Sequence, residues 1–425
     1  MITRISPSIP HGNIKAIASK SIAHRLLICA AFSDKKTVIR CEETNKDIEA
    51  TANCLRALGV KIERASLCYE VTPIAPAEIL KKATLPCGES GSTLRFLLPV
   101  VAALGVNADF IMEGRLPERP LAPLDSELEA NGVILSREKN ILHVSGKLCG
   151  EKFKIAGNVS SQFISGMLLA LSLLKNSSTL TIEGKIESSP YIELTTDALR
   201  LFRAEPKKSN SAYIIDENTA FISPERIEVE GDWSNAAFPL CLGVMGKGKI
   251  SVSGLSPTSS QGDMAIVEII KKFGGKIKFD DGRYVAESSK LHAADIDASQ
   301  IPDLVPVLAT LASVAEGQTR IYGAARLRLK ESDRLTSTCE FLSALGADIS
   351  ATDDGLVING RPSLKGGSVS SYNDHRIAMS AAVAAAVCSD DVTVDGSEAT
   401  DKSYPAFWND MRSLNIHITD INREC

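Results

Sequence analysis

The chain has 425 residues, of which 44% are hydrophobic and 23% are charged. The length favours roughly three domains, or fewer if they are large, and the composition supplies a large apolar core, which excludes an intrinsically disordered chain. The formal net charge is −5, whereas a nucleic-acid-binding surface is basic, so no nucleic-acid partner is expected.

The cysteines and the apolar runs indicate the cellular compartment of the protein. The ten cysteines form no C-x-x-C pair, and Cys29, Cys241 and Cys388 lie within apolar helical runs, so we predict buried thiols and no structural metal site. No signal-peptide pattern follows Met1, and the longest apolar run, 377–388, is shorter than the roughly 18 residues that span a membrane. We therefore predict a cytoplasmic protein with no membrane partner.

An apolar helix with a polar start recurs six times along the chain. The polar starts are spaced 70 to 72 residues apart, at Ser19, Ser90, Ser160, Asp232, Asp303 and Asp374. Each is followed by a run that is apolar on nearly every side, such as FISGMLLALSLL after Gln162. A helix of this kind has to be buried on every side.

Each repeat also contains a short strand and a second, amphipathic helix. The strands are predicted at 37–41, 109–114, 180–184, 250–254, 319–323 and 392–396. The second helices are predicted to end at Gly59, Gly132, Arg203, Gly274, Gly346 and Asn415, which lie 69 to 73 residues apart. Glycine and asparagine are usual at a helix end because both tolerate left-handed backbone, and Arg203 is the exception.

The repeat is therefore a βαβαββ unit. Six such units predict an α/β fold in which buried helices are walled by sheets, the reverse of a TIM barrel. The spacing alone leaves open whether the six units form one ring or two groups of three.

Basic residues accumulate at the predicted helix starts. The N-terminus of a helix is already positive, so cations there are either neutralised by neighbouring acids on a solvated face or placed to bind an anionic ligand. Positions in or just before a first helical turn are predicted for Lys20, Arg25, Arg95, Lys330, Arg334, Arg376 and Lys402. Because the placement recurs, we predict a site for ligands with several phosphate and carboxylate groups.

Residues near these cations have alternative interpretations. Asp303 follows Ile301-Pro302, so it either caps the next helix or takes a proton beside the cations. His24 and His375 are either general bases or core and capping histidines. The sequence has neither a P-loop nor a dinucleotide-binding glycine fingerprint, so ATP and NAD are not implied and no cofactor is expected.

Motifs spread over the whole chain match those of one known family. They are Ser19-Lys20-Ser21 with Arg25, Gly91-Ser92 with Arg95, Pro117-Glu118-Arg119-Pro120, Ser160-Ser161-Gln162-Phe163, Ser189-Pro190-Tyr191, Gln261-Gly262-Asp263, Ile301-Pro302-Asp303, Lys330-Glu331-Ser332-Asp333-Arg334, Asn373-Asp374-His375-Arg376 and Lys402. On these motifs the sequence resembles the 5-enolpyruvylshikimate-3-phosphate synthase family of enolpyruvyl transferases.

The resemblance implies a fold and a reaction. The fold would be a two-domain inside-out α/β barrel with three repeats per domain, residues 1–18 and 229–425 forming one domain and 19–228 the other. The reaction would transfer the enolpyruvyl (carboxyvinyl) group of phosphoenolpyruvate to the 5-hydroxyl of shikimate 3-phosphate and release phosphate, a step of aromatic amino acid biosynthesis. The enzyme would be a monomer whose cleft closes on its ligands.

Carrying the motifs over residue by residue implies the site. The catalytic residues would be Asp303, Glu331, Lys20 and Lys402, and no metal is involved. The shikimate 3-phosphate contacts would be Lys20, Ser21, Arg25, Ser160, Ser161, Gln162, Ser188, Tyr191, Asp303 and Lys330. The phosphoenolpyruvate contacts would be Lys20, Gly91, Arg95, Arg119, Gln162, Arg334, Arg376 and Lys402. In this assignment Asp303 takes the proton of the 5-hydroxyl, and Glu331 with Lys20 or Lys402 handles the methyl proton.

Two other functions are weighed against this one. The sister enolpyruvyl transferases that act on UDP-N-acetylglucosamine carry a reactive cysteine in the loop corresponding to 113–120, where this chain has none, and Cys87 lies in a different segment. The other alternative is a binding protein that has kept an anion site without the chemistry. This chain also departs from many family members in having Glu89-Ser90-Gly91-Ser92, and we hypothesise that Gly91 leaves room for the inhibitor glyphosate in the enolpyruvate pocket.

Overall fold

The chain divides into two compact units in the computed structural model, which describes residues 1–421. We call Ala18–Val229 the central unit, and Met1–Ile17 together with Glu230–Cys425 the terminal unit, after their places in the sequence. Each unit has its own hydrophobic core.

The described residues contain twelve α-helices and seven short 3₁₀ helices. The α-helices are α1 Lys20–Ala31, α2 Lys46–Ala57, α3 Gly91–Leu104, α4 Leu124–Ala130, α5 Ser161–Leu171, α6 Ser189–Leu201, α7 Trp233–Met245, α8 Ile266–Lys272, α9 Val305–Ala312, α10 Arg334–Ala344, α11 His375–Ala384 and α12 Phe407–Ser413. The 3₁₀ helices span Pro76–Glu78, Leu116–Glu118, Gly262–Ala265, Pro302–Leu304, Ala325–Leu329, Ala385–Val387 and Ser397–Lys402.

The strands are short, and residues 1–421 contain 24 of them. The first twelve are β1 Ile2–Ser6, β2 His11–Lys15, β3 Thr37–Arg40, β4 Lys61–Ala65, β5 Cys68–Thr72, β6 Lys82–Gly88, β7 Asn107–Met112, β8 Val133–Glu138, β9 Ile141–Gly146, β10 Lys152–Ala156, β11 Ser178–Glu183 and β12 Lys207–Ser209. The others are β13 Ala212–Ile215, β14 Arg226–Glu228, β15 Lys249–Ser253, β16 Lys276–Asp280, β17 Arg283–Glu287, β18 Ile296–Asp297, β19 Gln318–Tyr322, β20 Asp348–Ala351, β21 Leu356–Asn359, β22 Gly367–Ser370, β23 Val392–Asp395 and β24 His417–Ile421.

These strands form six four-stranded sheets with one shared plan. The strand that the repeat predicts (β3, β7, β11, β15, β19 or β23) is always an inner strand with one parallel and one antiparallel neighbour. The central unit has the strand orders β14-β3-β5-β4, β6-β7-β9-β8 and β10-β11-β13-β12. The terminal unit has the orders β16-β17-β15-β2, β18-β19-β21-β20 and β22-β23-β1-β24. The six predicted strands are therefore confirmed, three in each unit.

The apolar helix of each repeat is buried, as its composition predicts. Every residue of α7, α9 and α11 is buried, and these three helices pack against one another within the terminal unit. In the central unit, α3 packs against α5, and both are buried along nearly their whole length. Buried helices covered by small sheets confirm the predicted α/β class.

The six predicted helix ends share one backbone conformation. The φ angle is positive at every one of them: 103° at Gly59, 93° at Gly132, 56° at Arg203, 82° at Gly274, 88° at Gly346 and 64° at Asn415. Arg203, the exception in residue type, therefore keeps the left-handed geometry of its equivalents, at a steric cost of roughly 1–2 kcal/mol for an L-residue.

Replacing Arg203 by glycine is expected to stabilise the protein by about 0.5–1 kcal/mol, because the relief of left-handed strain exceeds the extra chain entropy of glycine. The apparent melting temperature measured by circular dichroism should rise by about 2 °C. Gly346→Ala, at an equivalent position, should shift it in the opposite direction. A lower melting temperature for Arg203→Gly would contradict the prediction.

No helix within the described part of the chain is long and apolar enough to cross a membrane.

Candidate active site

Arg334 is the centre of the polar cluster in the terminal unit. Its side chain is 1% exposed and reaches three carboxylates: Nη1 lies 2.8 Å from Asp303 Oδ1, Nη2 lies 2.7 Å from Glu331 Oε2, and Nε lies 2.8 Å from Asp374 Oδ2. Burial opposes the charge of Arg334, but Asp374, Glu331 and Asp303 together raise its pKa. The alternative of a solvated charged face is therefore wrong for Arg334.

Asp303 is surrounded by cations rather than placed at a helix cap. It lies in the 3₁₀ turn Pro302–Leu304, and α9 begins only at Val305 with Leu304 at its N-cap. Besides Arg334, Lys330 Nζ lies 3.5 Å from Asp303 Oδ1, and Arg376 Nη2 lies 3.5 Å from Asp303 Oδ2. Burial opposes the negative charge, but the Coulomb attraction of Lys330, Arg376 and Arg334 holds the pKa of Asp303 well below its ordinary value.

Residues at the start of α11 also belong to this cluster. Asp374 caps the helix, its Oδ1 accepting a hydrogen bond from the Arg376 backbone N–H at 2.9 Å. The buried Arg376 side chain donates from Nη1 to the Ser234 carbonyl oxygen at 3.1 Å. Lys402 is also buried, and its Nζ donates to the Asn373 carbonyl oxygen at 2.6 Å.

In the central unit, the start of α3 gathers two arginines and a glutamine. Arg95 and Arg119 are both buried. A Cβ atom added to Gly91 would lie 2.6 Å from Arg95 Nη1 and 2.7 Å from Arg119 Nη1, so both guanidinium groups approach the same backbone position. Gln162 Nε2 donates to Ser92 Oγ at 2.9 Å. Two neighbouring guanidinium groups repel each other, and a bound carboxylate or phosphate would offset that repulsion.

If phosphoenolpyruvate binds where the resemblance implies, Gly91→Ala is expected to raise its KM by about tenfold, equal to about 1.4 kcal/mol, and to weaken glyphosate inhibition. The added methyl group has to displace Arg95 or Arg119, whereas the KM for shikimate 3-phosphate should stay within about twofold. Steady-state kinetics with each substrate varied in turn would measure both effects. Gly184→Ala controls for a general loss of stability: its φ of 75° strains an alanine although a Cβ there meets no atom within 4 Å, so it should lower the melting temperature and leave both KM values unchanged. An unchanged KM for phosphoenolpyruvate would count against a role for this position.

Lys20 and Arg25 both lie on α1. Lys20 is the first residue of the helix, and its Nζ donates to Asp47 Oδ2 at 2.7 Å. Arg25 donates from Nε to Thr195 Oγ1 at 2.7 Å and from Nη2 to the Tyr191 carbonyl oxygen at 2.8 Å. Burial lowers the pKa of Arg25 to about 10, so an anionic ligand nearby would stabilise its charged form.

The predicted serines stand at helix starts of the central unit. Ser160 caps α5 by accepting a hydrogen bond from the Gln162 backbone N–H at 3.3 Å, and Ser161 is the first helical residue. Ser188 precedes α6 with a left-handed φ of 53°. Ser21 accepts a hydrogen bond from Arg25 Nη1 through its carbonyl oxygen at 2.5 Å.

Three of the seven predicted cation positions need correction. Lys20, Arg334 and Arg376 occupy first helical turns and Lys330 lies just before one, but Lys402 ends a 3₁₀ helix, five residues before α12. Arg25 and Arg95 lie one turn further along their helices, but each guanidinium donates to the carbonyl oxygen four residues earlier. Helical side chains point toward the N-terminus, so these two charges still reach the helix start.

The histidines have different surroundings from those of a general base. His24 is 1% exposed, its Nδ1 lies 2.7 Å from Thr51 Oγ1, and burial lowers its pKa to about 3. The chain of hydroxyls continues from Thr51 to Thr93 at 2.7 Å and from Thr93 to the α3 cap Ser90 at 2.8 Å. His24 is therefore a neutral core histidine, and the general-base interpretation is wrong for it. His375 is also buried, as the first residue of α11.

Sequence reasoning did not predict which side chains orient the cations, and it named Asp374 only as a helix start and a motif residue. Asp47 holds Lys20, Thr195 holds Arg25, and Asp374 holds Arg334. Asp47 lies in the first turn of α2, where an acid is ordinary, so no local pattern distinguishes it. Within residues 1–421 no group of three or more His, Cys, Asp or Glu side chains could hold a metal ion.

Many known proteins are similar to this chain in sequence or in fold. The family model for EPSP synthase (3-phosphoshikimate 1-carboxyvinyltransferase) matches residues 7–411. The chain is 41% identical to the 3-phosphoshikimate 1-carboxyvinyltransferase of Clostridium kluyveri, covering 98% of both chains, and 39% identical to that of Clostridium acetobutylicum, covering 97% of this chain and 96% of the relative. The fold resembles that of EPSP synthase from Acinetobacter baumannii, with a TM-score of 0.79 at 24% identity over 99% of this chain and 100% of that one. It also resembles the enolpyruvyl transferase NikO from Streptomyces tendae, with a TM-score of 0.75 at 16% identity over 98% of each chain.

The fold and the two cation clusters define a protein that handles anionic small molecules. The chain belongs to the EPSP synthase (3-phosphoshikimate 1-carboxyvinyltransferase) family. The resemblance inferred from the sequence motifs is thereby confirmed, as is the class of enzyme.

Proposed function

We propose that the chain transfers the carboxyvinyl group of phosphoenolpyruvate to the 5-hydroxyl of shikimate 3-phosphate and releases phosphate, within aromatic amino acid biosynthesis. The observation that carries the proposal is the Asp303 carboxylate, held by Arg334, Lys330 and Arg376 in a chain of this family. A carboxylate base and several fixed cations are what proton transfer between anionic reactants requires.

In this proposal Asp303 is the general base. The 5-hydroxyl oxygen bonds to C2 of phosphoenolpyruvate while its proton passes to Asp303. The low pKa of free Asp303 makes it a weak base, but an anion bound to Arg334 and Arg376 would offset their charge. Substrate binding would therefore raise the basicity of Asp303 at the moment when it is needed.

The proposed phosphoenolpyruvate contacts include side chains of the terminal unit and side chains of the central unit. The terminal unit would supply Arg334, Arg376 and Lys402, whose side chains are all buried. The central unit would supply Lys20, Gly91, Arg95, Arg119 and Gln162. Fixed cations in a dry site stabilise the carboxylate and phosphate groups more strongly than water would, and they keep their positions during the reaction.

The methyl proton is assigned to Glu331 together with Lys20 or Lys402. Glu331 is oriented by Arg334 at 2.7 Å, so its carboxyl group has a fixed direction. A proton would be added to C3 of phosphoenolpyruvate as the 5-oxygen bonds to C2. Loss of a C3 proton together with the phosphate group would then restore the double bond.

The contacts to shikimate 3-phosphate are proposed to be Lys20, Ser21, Arg25, Ser160, Ser161, Gln162, Ser188, Tyr191, Asp303 and Lys330. The serine hydroxyls at the start of α5 and the guanidinium of Arg25 suit a phosphate group. The monomeric state and the cytoplasmic location stay predictions.

Phosphate release from purified protein tests the proposal. Release with phosphoenolpyruvate and shikimate 3-phosphate is the expected result. Release only with UDP-N-acetylglucosamine would select the sister transferases, and release with neither acceptor would select a binding protein. Against the sister activity, Cys87 is buried, and burial raises its thiol pKa to about 12, so it is not a ready nucleophile.

A further inference from the structure

Another buried carboxylate, Asp263, lies in the terminal unit, outside the proposed set of site residues. Asp263 belongs to the Gln261-Gly262-Asp263 motif and lies in the 3₁₀ helix Gly262–Ala265. Its side chain is 1% exposed, and its Oδ2 accepts a hydrogen bond from the Ser234 hydroxyl. Burying a carboxylate is costly unless it is hydrogen-bonded. The simplest role for Asp263 is therefore structural, as a tether for α7 through Ser234, and a functional role has to be weighed against it.

Ser234 joins Asp263 to the proposed general base. The Ser234 hydroxyl donates to Asp263, while the Ser234 carbonyl oxygen accepts from Arg376 Nη1 at 3.1 Å. The other terminal nitrogen of Arg376 lies 3.5 Å from Asp303 Oδ2. One terminal nitrogen of Arg376 is thus held by Ser234, which Asp263 anchors, and the other lies near Asp303.

The charges of Asp263, Arg376 and Asp303 depend on one another. Burial and the negative charge of Asp303 raise the pKa of Asp263 to about 6, with Asp232 acting in the same direction, and Arg376 and the Ser234 hydroxyl oppose the shift. Asp263 is therefore mostly ionised at neutral pH. Its negative charge offsets part of the Arg376 charge, which would otherwise act on Asp303 alone.

We propose that Asp263 is a positioning residue for the general base: through Ser234 it fixes Arg376, and by sharing the charge of Arg376 it keeps Asp303 basic enough to accept the proton. The proposal rests on the proposed function, since it assumes that Asp303 is the base. A tether alone would need the hydrogen bond but not the charge.

Asp263→Asn removes the charge and keeps the size. With the negative charge gone, Arg376 acts more strongly on Asp303, so kcat should fall about tenfold at neutral pH. The KM for phosphoenolpyruvate should stay equal or decrease, because the site becomes more positive for an anionic substrate. A mere loss of structure would raise KM and lower the melting temperature together, so both are measured.

The pH profile of kcat supplies a second readout. In the wild type kcat should rise through a pH of about 6 as Asp263 ionises, and this step should be missing in Asp263→Asn. In Ser234→Ala the hydrogen bond that lowers the pKa of Asp263 is lost, so the step should move to higher pH. Ser234→Thr keeps the hydroxyl and should restore the wild-type profile.

Asp410→Asn is the control, since Asp410 is a half-buried acid whose pKa is likewise raised by burial and which likewise accepts a hydroxyl hydrogen bond, from Tyr404 at 2.6 Å. Its kcat profile should match the wild type. If the wild type is active and Asp263→Asn retains both kcat and the step in the profile, the positioning role is wrong and the proposed function stands. If the wild type releases no phosphate, the proposed function fails instead.

Discussion

Replacing Asp303 by asparagine is expected to lower kcat by about 10²–10⁴-fold, the usual range for loss of a general base. Asparagine has nearly the same size but cannot take the proton of the 5-hydroxyl. The KM for phosphoenolpyruvate should not rise, because Lys330, Arg334 and Arg376 lose a competing carboxylate. Single-turnover and steady-state phosphate release would measure the effect on the chemical step.

Asp348→Asn provides the control for this substitution, since Asp348 is exposed and forms an ion pair at 3.3 Å with Arg361, which is also exposed. Its kcat should be that of the wild type. A turnover of Asp303→Asn within threefold of the wild type would remove Asp303 from the mechanism.

Replacing Arg334 by methionine is expected to destabilise the protein by about 3–5 kcal/mol, because three buried or half-buried carboxylates lose their shared counter-ion. The apparent melting temperature should fall by roughly 10 °C. Activity should also be lost, since Glu331 and Asp303 are no longer oriented. Thermal unfolding followed by circular dichroism measures the first effect. Arg361→Met, which breaks an exposed pair, should cost less than about 1 kcal/mol.

The pH dependence of this stability change has a defined sign. In the wild type the pKa of Asp303 is depressed, so its stabilising contribution is complete above the ordinary aspartate pKa and is lost as pH falls below it. Without Arg334 the carboxylates favour the protonated form, so the deficit of the variant should shrink as pH is lowered. A deficit that grows on acidification would contradict this assignment of charges.

Local sequence patterns predicted the repeating elements because each depends on residues close in sequence. The six inner strands, the buried helices and the helix ends all follow from periodicity and from the polarity of the residues at each end. Even Arg203, whose residue type breaks the pattern, adopts the backbone of its equivalents. Sheet membership could not be predicted in the same way: β2 pairs with β15, more than two hundred residues away, and no local pattern selects that partner.

The site was predictable to the level of residue type and region. The cations near Asp303 do come together within the terminal unit, as do Gly91, Arg95 and Arg119 within the central unit. The predicted helical turn was wrong for Arg25 and Arg95, whose long side chains lie one turn further along the helix and still reach back to its start. The residues that orient the cations, such as Ser234 for Arg376, do so through contacts between distant segments, and local composition does not reveal them.

Two of the sheets in the terminal unit include strands from the very beginning of the chain: β1 lies between β23 and β24, and β2 lies beside β15. During synthesis on a ribosome, the segment Ala18–Val229 can complete its three sheets as soon as β14 has emerged. By contrast, β2 can pair only after β15 has been translated, and β1 only after β23 and β24 have been. Newly made protein should therefore acquire protease resistance in two stages, the later one only after β24 has emerged.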